Sequence, residues 1–81
     1  MTAADKTLER MRNNPRDWRI DDLLIVAGRY GVEARNNGGS HHVFSAPGIT
    51  ESLCVPAYRP VKPVYVKRFV AMIDTIKEQT Q

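Results

Sequence analysis

The sequence predicts an α+β fold: a three-stranded antiparallel sheet with two helices on one face and a short extra helix at the N-terminus. Two segments repeat apolar residues at i, i+3, i+4 and i+7, which is the spacing of one helix face. Between them, three short strand-like segments are separated by turn residues. With 81 residues the chain has room for one such domain.

The N-terminal stretch from Ala3 to Asn13 contains good helix formers and a weak apolar face. Pro15 ends it, because proline excludes the preceding residue from helical geometry. We therefore predict that residues 1–17 are an N-terminal helical extension and that residues 18–81 form the domain itself.

The next helix is predicted from about Trp18 to Tyr30. Asp17 or its neighbours can cap its start, and Gly31 is a natural C-terminal stop. Its apolar stripe consists of Ile20, Leu23, Leu24, Ala27 and Tyr30.

The middle of the chain is predicted to be a meander of three strands. Each strand combines apolar or β-branched residues, and turn residues such as glycine and asparagine follow it. The predicted strands are Val32–Arg35, Ser40–Ser45 and Glu51–Val55, with turns at Asn36-Asn37-Gly38-Gly39 and Ala46-Pro47-Gly48.

The last helix begins near Pro63, where a missing N–H costs nothing. Its stripe consists of Val66, Phe69, Val70, Ile73 and Ile76. Burying both stripes on one half-buried sheet places both helices on the same face. Double-stranded-RNA-binding domains share this α-β-β-β-α layout, although layout alone does not specify function.

Composition narrows the class of partner. The net charge of +3 favours a polyanion, and no apolar run approaches the ~20 residues that span a bilayer. The N-terminus has no apolar signal segment, and the single cysteine, Cys54, excludes an internal disulfide. We expect a cytoplasmic protein without a membrane partner, monomeric when free because no apolar stripe is left over.

The run Gly38-Gly39-Ser40-His41-His42 is the most informative local sequence. Adjacent strand residues point to opposite faces, so one histidine faces the helices and the other faces outward. An exposed histidine titrates near neutrality and can move protons in phosphodiester cleavage. The plain alternative is a glycine hairpin followed by two ordinary strand histidines.

A zinc site would need a third ligand, either Cys54 or a distant carboxylate, and no Cys-x-x-Cys or His-x-His spacing accompanies the histidines. We therefore predict neither a metal site nor a cofactor. Cys54 lies in the middle of a predicted strand, where cysteine is usually a small packing residue.

The segment from Tyr58 to Pro63 combines cations with an aromatic ring and leads into a helix N-terminus, where backbone N–H groups favour phosphate. A proline-stiffened loop with solvated cations is the equal alternative. The cations of this region are Arg59, Lys62, Lys67 and Arg68.

Three elements in this order resemble the HicA family of toxins: Gly39-Ser40-His41-His42-Val43-Phe44, then Val55-Pro56, then Arg59-Pro60-Val61-Lys62-Pro63-Val64-Tyr65-Val66. The resemblance covers roughly Arg19 to Ile76. It implies a double-stranded-RNA-binding-like fold and ribosome-independent cleavage of messenger RNA. It also implies neutralisation by a HicB-type antitoxin, with which the toxin forms a hetero-oligomer.

The same resemblance implies roles for individual residues. His41 is the catalytic histidine, with His42 in reserve, and Gly39 and Ser40 form the supporting turn. His41 would deprotonate the RNA 2′-hydroxyl without a metal. The acid partner stays open among Lys62, Tyr58 and a water. The implied RNA-binding residues are Gly39, Ser40, Tyr58, Arg59, Lys62 and Lys67.

This chain departs from the family pattern at two places. Asn36-Asn37 stand where members often have basic residues, and Tyr58 stands near a position that often holds a second histidine or a basic residue. Two other functions remain open. One is a non-catalytic RNA-binding module that uses the exposed sheet face, and the other is a protein-interaction domain whose partner covers the sheet.

Overall fold

A computed structural model describes residues 2–36 and 38–79 of the chain. Within these residues the protein forms three α-helices and an open three-stranded antiparallel sheet, which confirms the α+β class. The elements are α1 Ala3–Asn13, α2 Ile20–Arg29, β1 Glu33–Asn36, β2 His41–Ser45, β3 Leu53–Pro56 and α3 Pro63–Gln79.

α2 begins at Ile20, two residues later than the sequence predicts. Trp18 is held outside the helix by an isolated antiparallel bridge to Val61. The N-cap is Arg19, whose backbone N–H donates to Asp22 Oδ2 at 3.0 Å. Asp17 instead has a φ of 65°, so the chain turns sharply before the helix starts.

The sheet has the order β1-β2-β3, with β2 in the centre. His42 pairs with Asn36 of β1 on one side and with Val55 of β3 on the other. The predicted β1–β2 turn includes Asn37, which lies outside the described residues. Gly38 in this turn has a φ of 81°, a conformation that glycine adopts at little cost.

One face of the sheet is covered by helices. Phe44 of β2 and Val55 of β3 are fully buried, and the Phe44 ring meets Phe69 of α3 edge to face with centroids 5.3 Å apart. Leu23 of α2 belongs to the same buried cluster. Both long apolar stripes therefore pack on this face, as the sequence predicts, and the other face is left open.

α1 contributes to the same core. Leu8 and Met11 are each 1% exposed and lie in the cluster that contains the sheet and both other helices. Arg12 also binds Asp74 of α3 through two hydrogen bonds, Nη1 to Oδ2 at 2.5 Å and Nη2 to Oδ1 at 2.8 Å. The weak apolar face seen in the sequence understates how firmly this helix packs.

Among the helices of the described residues, none is both long enough and apolar enough to cross a membrane.

Candidate active site on the open face of the sheet

The two histidines at the start of β2 point to opposite faces of the sheet, as strand geometry requires. His42 is half-buried on the side of Phe44 and Val55, which is the side of the helices. His41 is exposed, stands opposite Pro56, and faces the open side. Of the two, His41 is the one that a large substrate can reach.

His42 makes a local contact inside the turn. Its Nε2 lies 3.3 Å from Asn36 Nδ2, and Asn36 Oδ1 accepts the Gly38 N–H at 2.8 Å. Its Nδ1 is buried without a partner among the described residues. These contacts link His42 to the β1–β2 turn and keep its ring away from the open face.

The turn residues Gly39 and Ser40 are exposed. The carbonyl oxygen of Ser40 accepts the N–H of Ala57 at 2.6 Å, which extends the β2–β3 pairing by one residue beyond the strand end. A Cβ would fit at both glycines of this turn, but only Gly38 has a positive φ. Gly38 is therefore the position at which the turn favours glycine. The bond to Ala57 places His41 directly beside the loop that follows β3.

That loop presents an aromatic ring and a cation together. The Tyr58 side chain is 54% exposed, and Lys62 Nζ lies 5.4 Å from the centroid of its ring. Such a contact is a favourable cation–π interaction. The far end of the loop is fixed because the Val61 N–H donates to the Trp18 carbonyl at 2.7 Å. Tyr58 and Lys62 are thus held near the same end of the sheet as His41.

The other two cations predicted for this region are placed differently. Lys67 is exposed on α3, and its side chain has no ion pair or hydrogen bond within the described chain. Arg68 lines a cleft of about 670 Å³ between α3 and the β2–β3 connection, together with Leu53 at the start of β3. Tyr58 follows the opposite end of β3 and lines a different depression, with Arg19 and Arg59.

Cys54 is exposed on the open face, and the prediction of a packing residue is therefore wrong. Because Val55 is fully buried, strand alternation turns its neighbour outward. Cys54 pairs with Val43, and His41 is two residues from Val43 on the same strand. His41 and Cys54 are therefore diagonal neighbours on the open face.

Arg19 is a candidate that the sequence reasoning missed. It is exposed, and it lines a depression of about 170 Å³ with Tyr58 and Arg59. The Trp18–Val61 bridge brings these segments together. No local motif marks Arg19, because its neighbour Arg59 is distant in the chain.

Metal ligands do not cluster in the part of the chain that the structure describes: no group of three or more His, Cys, Asp or Glu side chains could hold an ion there. Comparison with protein-family models, with curated proteins and with solved structures gave no match.

Proposed function

We propose that the protein is a HicA-type toxin, a metal-independent endoribonuclease with a double-stranded-RNA-binding-like fold that cleaves messenger RNA through His41. A HicB-type antitoxin in the same cytoplasm would neutralise it. The observation that supports this most is the position of His41: it is exposed on the open sheet face, and the Ser40–Ala57 hydrogen bond holds it beside the Tyr58 loop.

The proposed reaction uses the 2′-hydroxyl of the RNA as the nucleophile. His41 takes the proton of that hydroxyl, its oxygen forms a bond to the adjacent phosphorus, and the bond from phosphorus to the 5′ oxygen breaks. The leaving oxygen gains a proton from Lys62, Tyr58 or a water. The products are a 2′,3′-cyclic phosphate and a 5′-hydroxyl end. Lys62 and Arg59 stabilise the charge that develops on the phosphoryl oxygens.

Of the two histidines, His41 fits the role of base better than His42. A general base must come within hydrogen-bond distance of the hydroxyl it deprotonates. His42 is half-buried, and Asn36 lies against its Nε2 at 3.3 Å, so reaching it would require the turn to open. His41 needs no such rearrangement.

The test compares the wild type with His41→Ala on messenger RNA. Loss of the base is expected to slow cleavage by about 10²- to 10⁴-fold. Cys54→Ser is the matched control, because it alters an exposed side chain on the same face by one atom and should cleave like the wild type. End-group analysis should find cyclic phosphates, and a chelator should leave the rate unchanged.

Cleavage by His41→Ala at the wild-type rate would contradict the proposal. Circular dichroism of the variant establishes that the fold is retained, so that a loss of activity is not a loss of structure. Growth arrest on induction, relieved by co-expressing a small acidic protein from the neighbouring reading frame, tests the toxin and antitoxin roles separately from the chemistry.

A non-catalytic RNA-binding module is the second candidate, and one observation favours it. The His41 ring has no hydrogen-bond partner among the described residues, whereas a general base is usually oriented by a neighbouring group. This candidate predicts salt-dependent binding that leaves the RNA intact in every variant.

A further inference from the structure

We propose that a line of four arginines extends the RNA-binding surface from the Tyr58 loop onto the N-terminal part of the chain. These residues are Arg10, Arg16, Arg19 and Arg59, and we call them the arginine track. The ligand is the phosphate backbone of a single-stranded RNA. The inference rests on the proposed function for the identity of that ligand.

The backbone holds the centre of the track in place. Trp18 and Val61 form an antiparallel bridge in which the Val61 N–H donates to the Trp18 carbonyl at 2.7 Å. Arg19 directly follows Trp18, and Arg59 lies two residues before Val61. The bridge therefore sets these two arginines beside each other.

The track is continuous because neighbouring surface depressions share their lining residues. Arg19 and Arg59 line the depression of about 170 Å³ beside Tyr58, and they also line the next, of about 280 Å³. Asp17 lines the second and also a third, of about 400 Å³. The third depression contains the other two members of the track, Arg10 and Arg16.

The sizes of these depressions favour a chain over a compact ligand. Two of the three fall below the roughly 300 to 1,000 Å³ of ordinary small-molecule pockets. A row of shallow depressions, each lined by two arginines, instead suits an extended polyanion that contacts them in turn.

The charges of the track are available to a ligand. All four side chains are exposed, and none forms an ion pair within the described residues. Elsewhere Arg12 is bound to Asp74, and Arg35 lies 3.0 Å from Glu33. Arg10 has one contact, with its guanidinium carbon 5.6 Å from the centroid of the Trp18 ring. Trp18 thereby holds that end of the track in position.

Three carboxylates also line these depressions, those of Asp17, Asp21 and Asp22. Asp22 is already used, since its Oδ2 accepts the N–H of Arg19 at 3.0 Å and caps α2. None of the three forms an ion pair with an arginine of the track. The four arginines and three aspartates together leave the track a formal charge of +1.

The test measures how RNA binding depends on salt, using His41→Ala protein so that the RNA stays intact. The variant carries Arg10→Gln and Arg16→Gln, the members of the track farthest from the Tyr58 loop. Losing two phosphate contacts should reduce the slope of log affinity against log salt by about 1.4, at about 0.7 per contact for single strands. In a protein with His41 intact, the same pair should raise the KM for a long RNA and leave dinucleotide cleavage unchanged.

The matched control carries Arg29→Gln and Arg68→Gln, which removes the same charge from exposed positions outside the track. An equal change of slope in the control, or no change in the variant, overturns the track. Melting temperatures of both proteins establish that they are folded. A wild type that binds RNA with the expected slopes but never cleaves it leaves the track standing and removes the proposed catalysis. A wild type without RNA affinity at low salt overturns both.

Discussion

Polar side chains pair with one another at one end of this small domain and are exposed to solvent at the other. On the side of α1 two pairs link the helices: Arg12 binds Asp74, and the Tyr30 hydroxyl donates to a carboxylate oxygen of Asp5. The guanidinium lowers the pKa of Asp74, and the hydrogen bond from Tyr30 helps to lower the pKa of Asp5 to about 2. Burial, followed by the bond to Asp5, raises the pKa of Tyr30 to about 12.

At the His41 end the polar groups are exposed and mostly unpaired. His41 and Arg59 have no ion pair or hydrogen bond of their side chains within the described residues, and the Lys62 ammonium contacts only the Tyr58 ring. Such groups contribute little to folding, because water solvates them as well as the protein does. Changes to the buried or paired residues of α1 should therefore alter stability, whereas changes near His41 or at the exposed arginines should alter function.

The largest effect that tests this division is the truncation of Leu8, a side chain on α1 that is 1% exposed in the common core. Leu8→Ala should lower the free energy of unfolding by about 2–5 kcal/mol, from lost transfer energy and the cavity left behind. Urea unfolding measures the loss. At a temperature where the variant is folded, its proposed cleavage rate should equal that of the wild type.

Ile25→Ala is the matched control for Leu8→Ala, since this side chain on α2 is 66% exposed. It should change the free energy of unfolding by less than about 0.5 kcal/mol. If Leu8→Ala costs no more than the control, α1 does not contribute to the stability of the core.

A change at the His41 end should alter RNA binding and leave the free energy of unfolding nearly the same. Under the proposed function, Tyr58→Ala removes a stacking surface worth about 1–3 kcal/mol per base, which weakens RNA binding by about 5- to 150-fold. Its free energy of unfolding should change by less than about 0.5 kcal/mol, because the ring is 54% exposed. Fluorescence anisotropy with RNA measures the binding.

Tyr58→Phe separates stacking from proton donation by the hydroxyl. It should bind RNA like the wild type. A loss of cleavage with unchanged RNA binding in Tyr58→Phe would identify the hydroxyl as the acid. Equal RNA affinity in Tyr58→Ala and the wild type would show that the ring does not stack on a base.

Features set by local sequence could be predicted. α3 begins at Pro63 as expected, and its apolar spacing gives the buried face that includes Phe69 and Ile73. The opposed histidines follow from strand alternation alone. The choice of His41 over His42 as the base came from the family resemblance, and it stays a prediction.

Features set by contacts between distant segments could not be predicted. The outward direction of Cys54 depends on which face of β3 the helices cover, and its own neighbours Leu53 and Val55 are both apolar. Arg19 adjoins Arg59 only through the Trp18–Val61 bridge. Neither relation has a local spacing by which it could be recognised.

The smallest effect concerns acid, and it tests the paired end of the molecule directly. In the folded protein the pKa of Asp5 is about 2, below its ordinary value of 3.8, so the unfolded chain binds a proton more readily. The stabilising contribution of Asp5 is therefore complete above about pH 4 and is lost as the pH falls towards 2. The stabilising contribution of Asp74 is also lost as the pH falls, because its pKa is lowered too.

Asp5→Asn should consequently be less stable than the wild type near neutrality and should converge with it at low pH. The contribution of Asp74 should be the same in both proteins at each pH. Urea unfolding across this pH range measures the difference. Glu51→Gln is the control, because this exposed carboxylate has no ion pair among the described residues. The substitution should leave the dependence of stability on pH as it is in the wild type. A constant gap between Asp5→Asn and the wild type down to pH 2 would mean that the Asp5 carboxylate does not stabilise through its charge. The pairing of α1 with α2 would then depend on neutral hydrogen bonds and apolar packing alone.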